Sequence, residues 1–230
     1  DAVGWPQLSK CRAANDFGKC FYCTEEMDLA KEWSCQYGKT GVVSGYILKM
    51  DDLNVVNLNS ERYHTLNWIG TLLEHRQPNN LDDDSKEARD YLIQNFAVDL
   101  SRADVIVGYR ADDSYFQYAT NFLRNRISLD KLSEAMRLGK LGEQVAIKSE
   151  RAFKRLEFKR ADPTAQKYIG LYMQRDTRAR ETYRKSLRGQ IRIPNKLTIE
   201  RIIQEGIKND DEILLRPLYR GRTRESRQHV

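Results

Sequence analysis

The stretch that most constrains the fold is Asp104-Val105-Ile106-Val107-Gly108-Tyr109. Its apolar run is too short for a stable helix and rich in β-branched side chains, so it suits a buried strand. Arg110-Ala111-Asp112-Asp113-Ser114 follows at once. Asp112 or Asp113 there would cap a helix whose apolar face carries Tyr115, Phe116, Ala119, Phe122 and Leu123. A buried strand that feeds straight into an amphipathic helix belongs to a layered molecule built around a sheet.

Other segments extend the pattern. Residues 20–24 predict a short strand ending at Thr24, which would cap a helix with Glu25 and Glu26 in its first turn and Leu29 and Trp33 on one face. Strands are predicted over Gly41–Met50, around Val55-Val56 and over Glu143–Lys148, the last with Val145 and Ile147 sharing a face. Helices are predicted over Tyr63–Arg76, Ser85–Phe96, Ser128 to Gly139 and Thr198–Lys208. From Asp162 the chain reads as helical and polar, with Pro163 in a first turn ahead of Tyr168, Leu171, Tyr172, Arg175 and Arg178. No Gly-rich βα turn of the dinucleotide or P-loop type occurs, and no repeat is visible. The expectation is an α+β domain over residues 1–160 and a basic helical extension over 161–230.

Charge divides along the same line. The chain of 230 residues carries a net charge of +6, yet residues 150–230 hold 21 of its 39 basic residues and 11 of its 33 acidic ones. The last third is therefore basic and the body mildly acidic, which points to a phosphate-bearing partner such as nucleic acid, or to a solvated helical face that includes Arg180, Arg184 and Arg188. No apolar run approaches the roughly 20 residues of a membrane span, and Asp1–Lys10 lacks the layout of a secretory signal, so a cytoplasmic protein with no membrane partner is expected. Cys11, Cys20, Cys23 and Cys35 all lie near the start. Cys20 and Cys23 would point to opposite faces of a strand, and His64, His75 and His229 are scattered, so packed thiols are expected and no metal site.

Three ordered blocks resemble a bacterial family, the domain of unknown function 3990. They are Asn15-Asp16-Phe17-Gly18-Lys19-Cys20-Phe21-Tyr22-Cys23-Thr24 with Leu29-Ala30-Lys31-Glu32-Trp33, then Gly108 through Phe116, then Leu138-Gly139-Lys140-Leu141-Gly142-Glu143-Gln144-Val145. That family is similar to the ADP-ribosyltransferase fold, which implies a split mixed β-sheet flanked by helices and an enzyme that takes NAD as substrate. The resemblance implies that Tyr22 lies against the nicotinamide ring and Glu143 contacts the nicotinamide ribose. Arg12, Phe17, Gly18, Phe21, Arg110, Asp112, Asp113 and Tyr115 would complete the cofactor cleft. Breaking the ribose–nicotinamide bond develops oxocarbenium character, which calls for a carboxylate near the sugar and an aromatic surface for the leaving ring. The acceptor would be a macromolecule, expected to be a protein, met in the bacterial cytoplasm or in a cell to which an effector or toxin is delivered.

Several positions keep a second reading. Gln144, on the opposite face of its strand from Glu143, competes with it for the catalytic role. Tyr22 also reads as a core strand residue, Asp112 and Asp113 as helix caps, Arg12 as a solvated loop residue and Arg110 as a surface ion-pair partner. Where the family has glycine this chain has Cys20, and the fold's first motif, expected upstream of Arg12 with a histidine, is not found: that strand is either absent or lies further upstream. These two departures define an alternative, a binding module that has lost catalysis. Nucleic-acid binding through the basic C-terminal third is another.

Overall fold

The computed structural model describes residues 5–35, 38–111, 113–138, 142–171, 173–174, 177, 181 and 196–221, with backbone alone at 113–115 and 137–138. Its centre is a four-stranded mixed sheet. β1 (Phe21–Cys23) pairs antiparallel with β5 (Glu143–Ile147), β5 antiparallel with β4 (Val105–Tyr109), and β4 parallel with β3 (Val55–Asn57). A separate antiparallel ribbon joins β2 (Val42–Leu48) to β6 (Leu156–Pro163).

Both faces of the central sheet are covered, which is why Val105-Ile106-Val107 reads as continuous apolar sequence. Ile106 and Ala146 face the main core, formed with α2 (Thr65–His75), α3 (Asp83–Phe96), α4 (Asp113–Leu123) and α5 (Leu129–Leu138). Val105 and Ile147 face a smaller cluster with Ala152 of α6 (Glu150–Phe153) and Leu156, joined by Phe21, Cys23, Tyr46 and Val145. Cys20 belongs to the first cluster and Cys23 to the second, and all four cysteines are free thiols. Burial pushes Cys20 up to about 11 and Cys23 up to about 12, so neither is a ready thiolate nucleophile.

Two sequence expectations are corrected. The helix expected from Asp162 gives way to β6, which runs through Pro163 opposite Val42 before residues 167–171 turn helical. Proline is tolerated at the end of a two-stranded ribbon because an edge position leaves its missing N–H out of the ladder. Tyr172, Arg175 and Arg178 lie outside the described residues, as do Arg180, Arg184 and Arg188. Thr24 does not cap α1 (Met27–Ser34): its hydroxyl accepts from the Glu26 N–H at 3.2 Å, and the helix starts only after Glu26, leaving Asp28 as the acid of the first turn.

The C-terminal part returns to the main core. Thr198 caps α7 (Ile199–Gln204) by accepting from the Arg201 N–H at 3.4 Å, and Leu197, Ile202, Ile207, Leu214 and Tyr219 are buried with α2 and α3. The Thr65 N–H at the start of α2 donates to the Tyr219 carbonyl at 2.7 Å, and His64 and Arg220 form a β-bridge. Among the described residues no helix is long and apolar enough to cross a membrane.

Candidate functional site

Polar groups gather at one end of the central sheet, where β3 and β4 finish and β5 begins. Glu143, the first residue of β5, is half-buried and stands opposite Tyr109, the last of β4. Two residues beyond β3 lies Asn59, only 4% exposed, whose Nδ2 donates to Glu143 Oε1 at 2.7 Å. Its backbone N–H donates to Asn57 Oδ1 at 2.9 Å, while its own Oδ1 is buried with no hydrogen-bond partner among the described residues. A buried unsatisfied amide oxygen costs roughly 1–3 kcal/mol, so the carboxylate, not the amide's own satisfaction, dictates this orientation.

The strand end next to this pair continues into Arg110. The Arg110 guanidinium lies 4.9 Å from the Trp33 ring centroid, a cation–π contact, while the Arg110 backbone N–H donates to the Gly142 carbonyl just before Glu143. The loop before Glu143 is thus joined to the end of β4. Tyr109 also lines a cleft with Leu58, His64, Thr65, Trp68, Ser133, Met136, Tyr219, Arg220 and Gly221. Burial pushes the His64 imidazole down to about 4, so it stays neutral. The hydroxyls of Thr65 and Ser133 are paired at 2.7 Å.

Gln144 points the opposite way. Its side chain is 3% exposed and donates to Asp16 Oδ2 at 2.8 Å and to the Tyr109 carbonyl at 3.2 Å. The buried Asp16 carboxylate also accepts from Arg76 Nη1 at 2.9 Å and from the Ala111 N–H at 2.8 Å. Tyr22, opposite Ala146, shares this face. Its hydroxyl accepts from the Phe17 N–H and donates to the Gly18 carbonyl, each at 2.9 Å, and burial pushes its pKa above the usual tyrosine range. Phe17 is 1% exposed and packs against Gly108 so closely that a Cβ there would lie 2.6 Å from its ring.

The backbones leading to Glu143 and Arg110 therefore meet at the sheet's end, whereas Phe17, Gly18, Tyr22 and Gln144 are gathered on its core side. Phe21 packs with Tyr46 and Phe153 in the second cluster, and Arg12 is exposed on a loop. Asp112 and the side chains of Asp113 and Tyr115 lie outside the described residues. Sequence reasoning missed Asn59 and Tyr109 as neighbours of Glu143, and Trp33 as the ring under Arg110. The signal for Asn59 was the Asn57-Leu58-Asn59 exit from a strand, where two amides flank an apolar residue.

The molecule is thus an α+β protein with a mixed sheet, carrying a carboxylate, an amide, a guanidinium and aromatic rings at one sheet end. The chain belongs to the family described as protein of unknown function (DUF3990), whose model matches residues 1–158. No curated protein and no solved structure matches it.

Proposed function

We propose that the protein binds NAD and transfers its ADP-ribose to a macromolecular acceptor, a protein. The observation that carries this reading is Glu143, a half-buried carboxylate at the head of β5 fixed by a buried amide. In such a reaction the bond from ribose C1′ to the nicotinamide nitrogen breaks, the electron pair leaves with neutral nicotinamide, and an acceptor nucleophile bonds to C1′ and gives up its proton. A fixed carboxylate stabilises the oxocarbenium character that C1′ gains. Arg110 matches pyrophosphate oxygens in shape and charge, and Tyr109, the cross-strand neighbour of Glu143, offers an aromatic surface. On this reading Tyr22 holds the Phe17–Gly18 turn. The separation of the strands into two sheets and the family blocks of the sequence also support an ADP-ribosyltransferase-like split sheet.

The test is incubation with labelled NAD in a cell lysate, comparing the unaltered protein with Glu143→Ala and Gln144→Ala. Transfer is expected to fall by about a hundredfold or more in Glu143→Ala, in the range typical for loss of a group that stabilises transition-state charge. Label transfer that survives Glu143→Ala would overturn the assignment. Calorimetric NAD binding without turnover would replace the transferase with a binding module.

A further inference from the structure

We propose that the C-terminal strap Tyr219-Arg220-Gly221, which lies beyond the family match, completes the Glu143 site by clamping the loop after β3, and that Asn59 is the positioning residue through which the clamp acts. This rests on the reading that Glu143 acts on the substrate.

The strap grips residues 59–65 at successive points. The Thr65 N–H donates to the Tyr219 carbonyl at 2.7 Å, the Gly221 N–H donates to the Tyr63 carbonyl at 3.1 Å, and Arg220 Nη1 donates to the Glu61 carbonyl at 3.0 Å. The strap is itself anchored: Tyr219 is 2% exposed and its hydroxyl donates to Asp130 on α5. Gly221 then lies directly on Asn59. A Cβ at this position would fall onto the Asn59 carbonyl group and within 2.5 Å of the Ser60 oxygen, so the approach requires glycine.

Asn59 translates that grip into an orientation. Turned the other way, its amide would set an oxygen against the Glu143 carboxylate; as it stands, Nδ2 donates to that carboxylate and Oδ1 has no partner among the described residues. The backbone of Asn59 is held by the strap from one side and by Asn57 Oδ1 from the other. Movement of the strap therefore shifts the donor that fixes the carboxylate, and the reach of the site extends about 60 residues past the matched family region, to residue 221.

The experiment compares Asn59→Leu and Gly221→Val with the unaltered protein, and with Arg160→Ala on the β2–β6 ribbon as a remote control. Two readouts are taken. In NAD cleavage, Asn59→Leu is expected to lower kcat about tenfold or more with KM within about twofold, because a mispositioned carboxylate weakens the transition state more than the ground state. Gly221→Val is expected to shift kcat in the same direction. In protein labelled with ¹³C at the glutamate carboxyls, the Glu143 resonance, assigned with Glu143→Gln, is expected to move in both variants and to stay in Arg160→Ala. A Glu143 resonance unchanged in folded Asn59→Leu overturns the inference, and so does a change in KM alone. If Gly221→Val fails to fold, Asn59→Leu decides. Absence of NAD cleavage in the unaltered protein would refute the transferase reading and leave the resonance to judge the clamp.

Discussion

The Asp16 carboxylate shows what a single residue does here. It accepts from Arg76, from the Ala111 N–H and from Gln144, and so ties the N-terminal loop to the end of α2, the exit of β4 and the start of β5. Asp16→Ala is expected to destabilise the protein by roughly 3–5 kcal/mol in urea titration, because Arg76 loses a partner in a largely buried setting. Gln144→Ala, which removes one donor and leaves part of the carboxylate unsatisfied, is expected to cost roughly 1–3 kcal/mol. A stability loss of that size would mark Gln144 as structural; loss of NAD turnover at unchanged stability would mark it as chemical. The sequence placed Glu143 and Gln144 on opposite faces through the period of a strand, but could not say which face meets Asp16, since 128 residues separate the partners.

At the scale of elements, local signals succeeded where the cause was local. Val105–Tyr109 is a strand because its apolar run is buried on both faces, and α7 starts where Thr198 supplies a cap. Thr198→Ala is expected to cost about 1 kcal/mol of stability, read as a lower urea midpoint with unchanged slope. The end of β6 was misread because Pro163 suits a first helical turn and the polar residues after Asp162 pass for a solvated helix. Its strand conformation comes from pairing with β2 more than 100 residues earlier, an interaction that periodicity does not report. The contact between β4 and the N-terminal loop is equally non-local. Gly108→Ala would push a methyl group against the buried Phe17 ring, and overpacking of this kind is expected to cost about 1–3 kcal/mol.

Across the whole molecule, His64 couples the return of the C-terminal strap to pH. It is 6% exposed, bonds through Nε2 to the Asn209 carbonyl at 3.3 Å, and is pushed by burial from its ordinary 6.5 down to about 4. The unfolded chain takes up a proton near 6.5 while the folded protein resists it. The stability contributed is therefore fully present above pH 6.5 and is lost as pH falls towards 4, by roughly 3 kcal/mol in all. His75, also lowered by burial, acts in the same direction. Thermal midpoints measured from pH 7 to pH 4.5 should fall, and His64→Gln should flatten that slope; an unchanged slope would refute the assignment to His64.

The sequence by itself determined the α+β class, most strands and helices, and the presence of Glu143 at the head of a strand. Those properties follow from periodicity, capping and apolar runs, all of which act within a few residues. Tertiary structure alone decided that Asn59 holds Glu143, that Tyr22 and Gln144 face the core, that β6 is a strand, and that residues 197–221 share the main core. Each of these depends on partners distant along the chain, brought together by burial of apolar surface and by satisfaction of buried polar groups, and no local pattern encodes which partners meet.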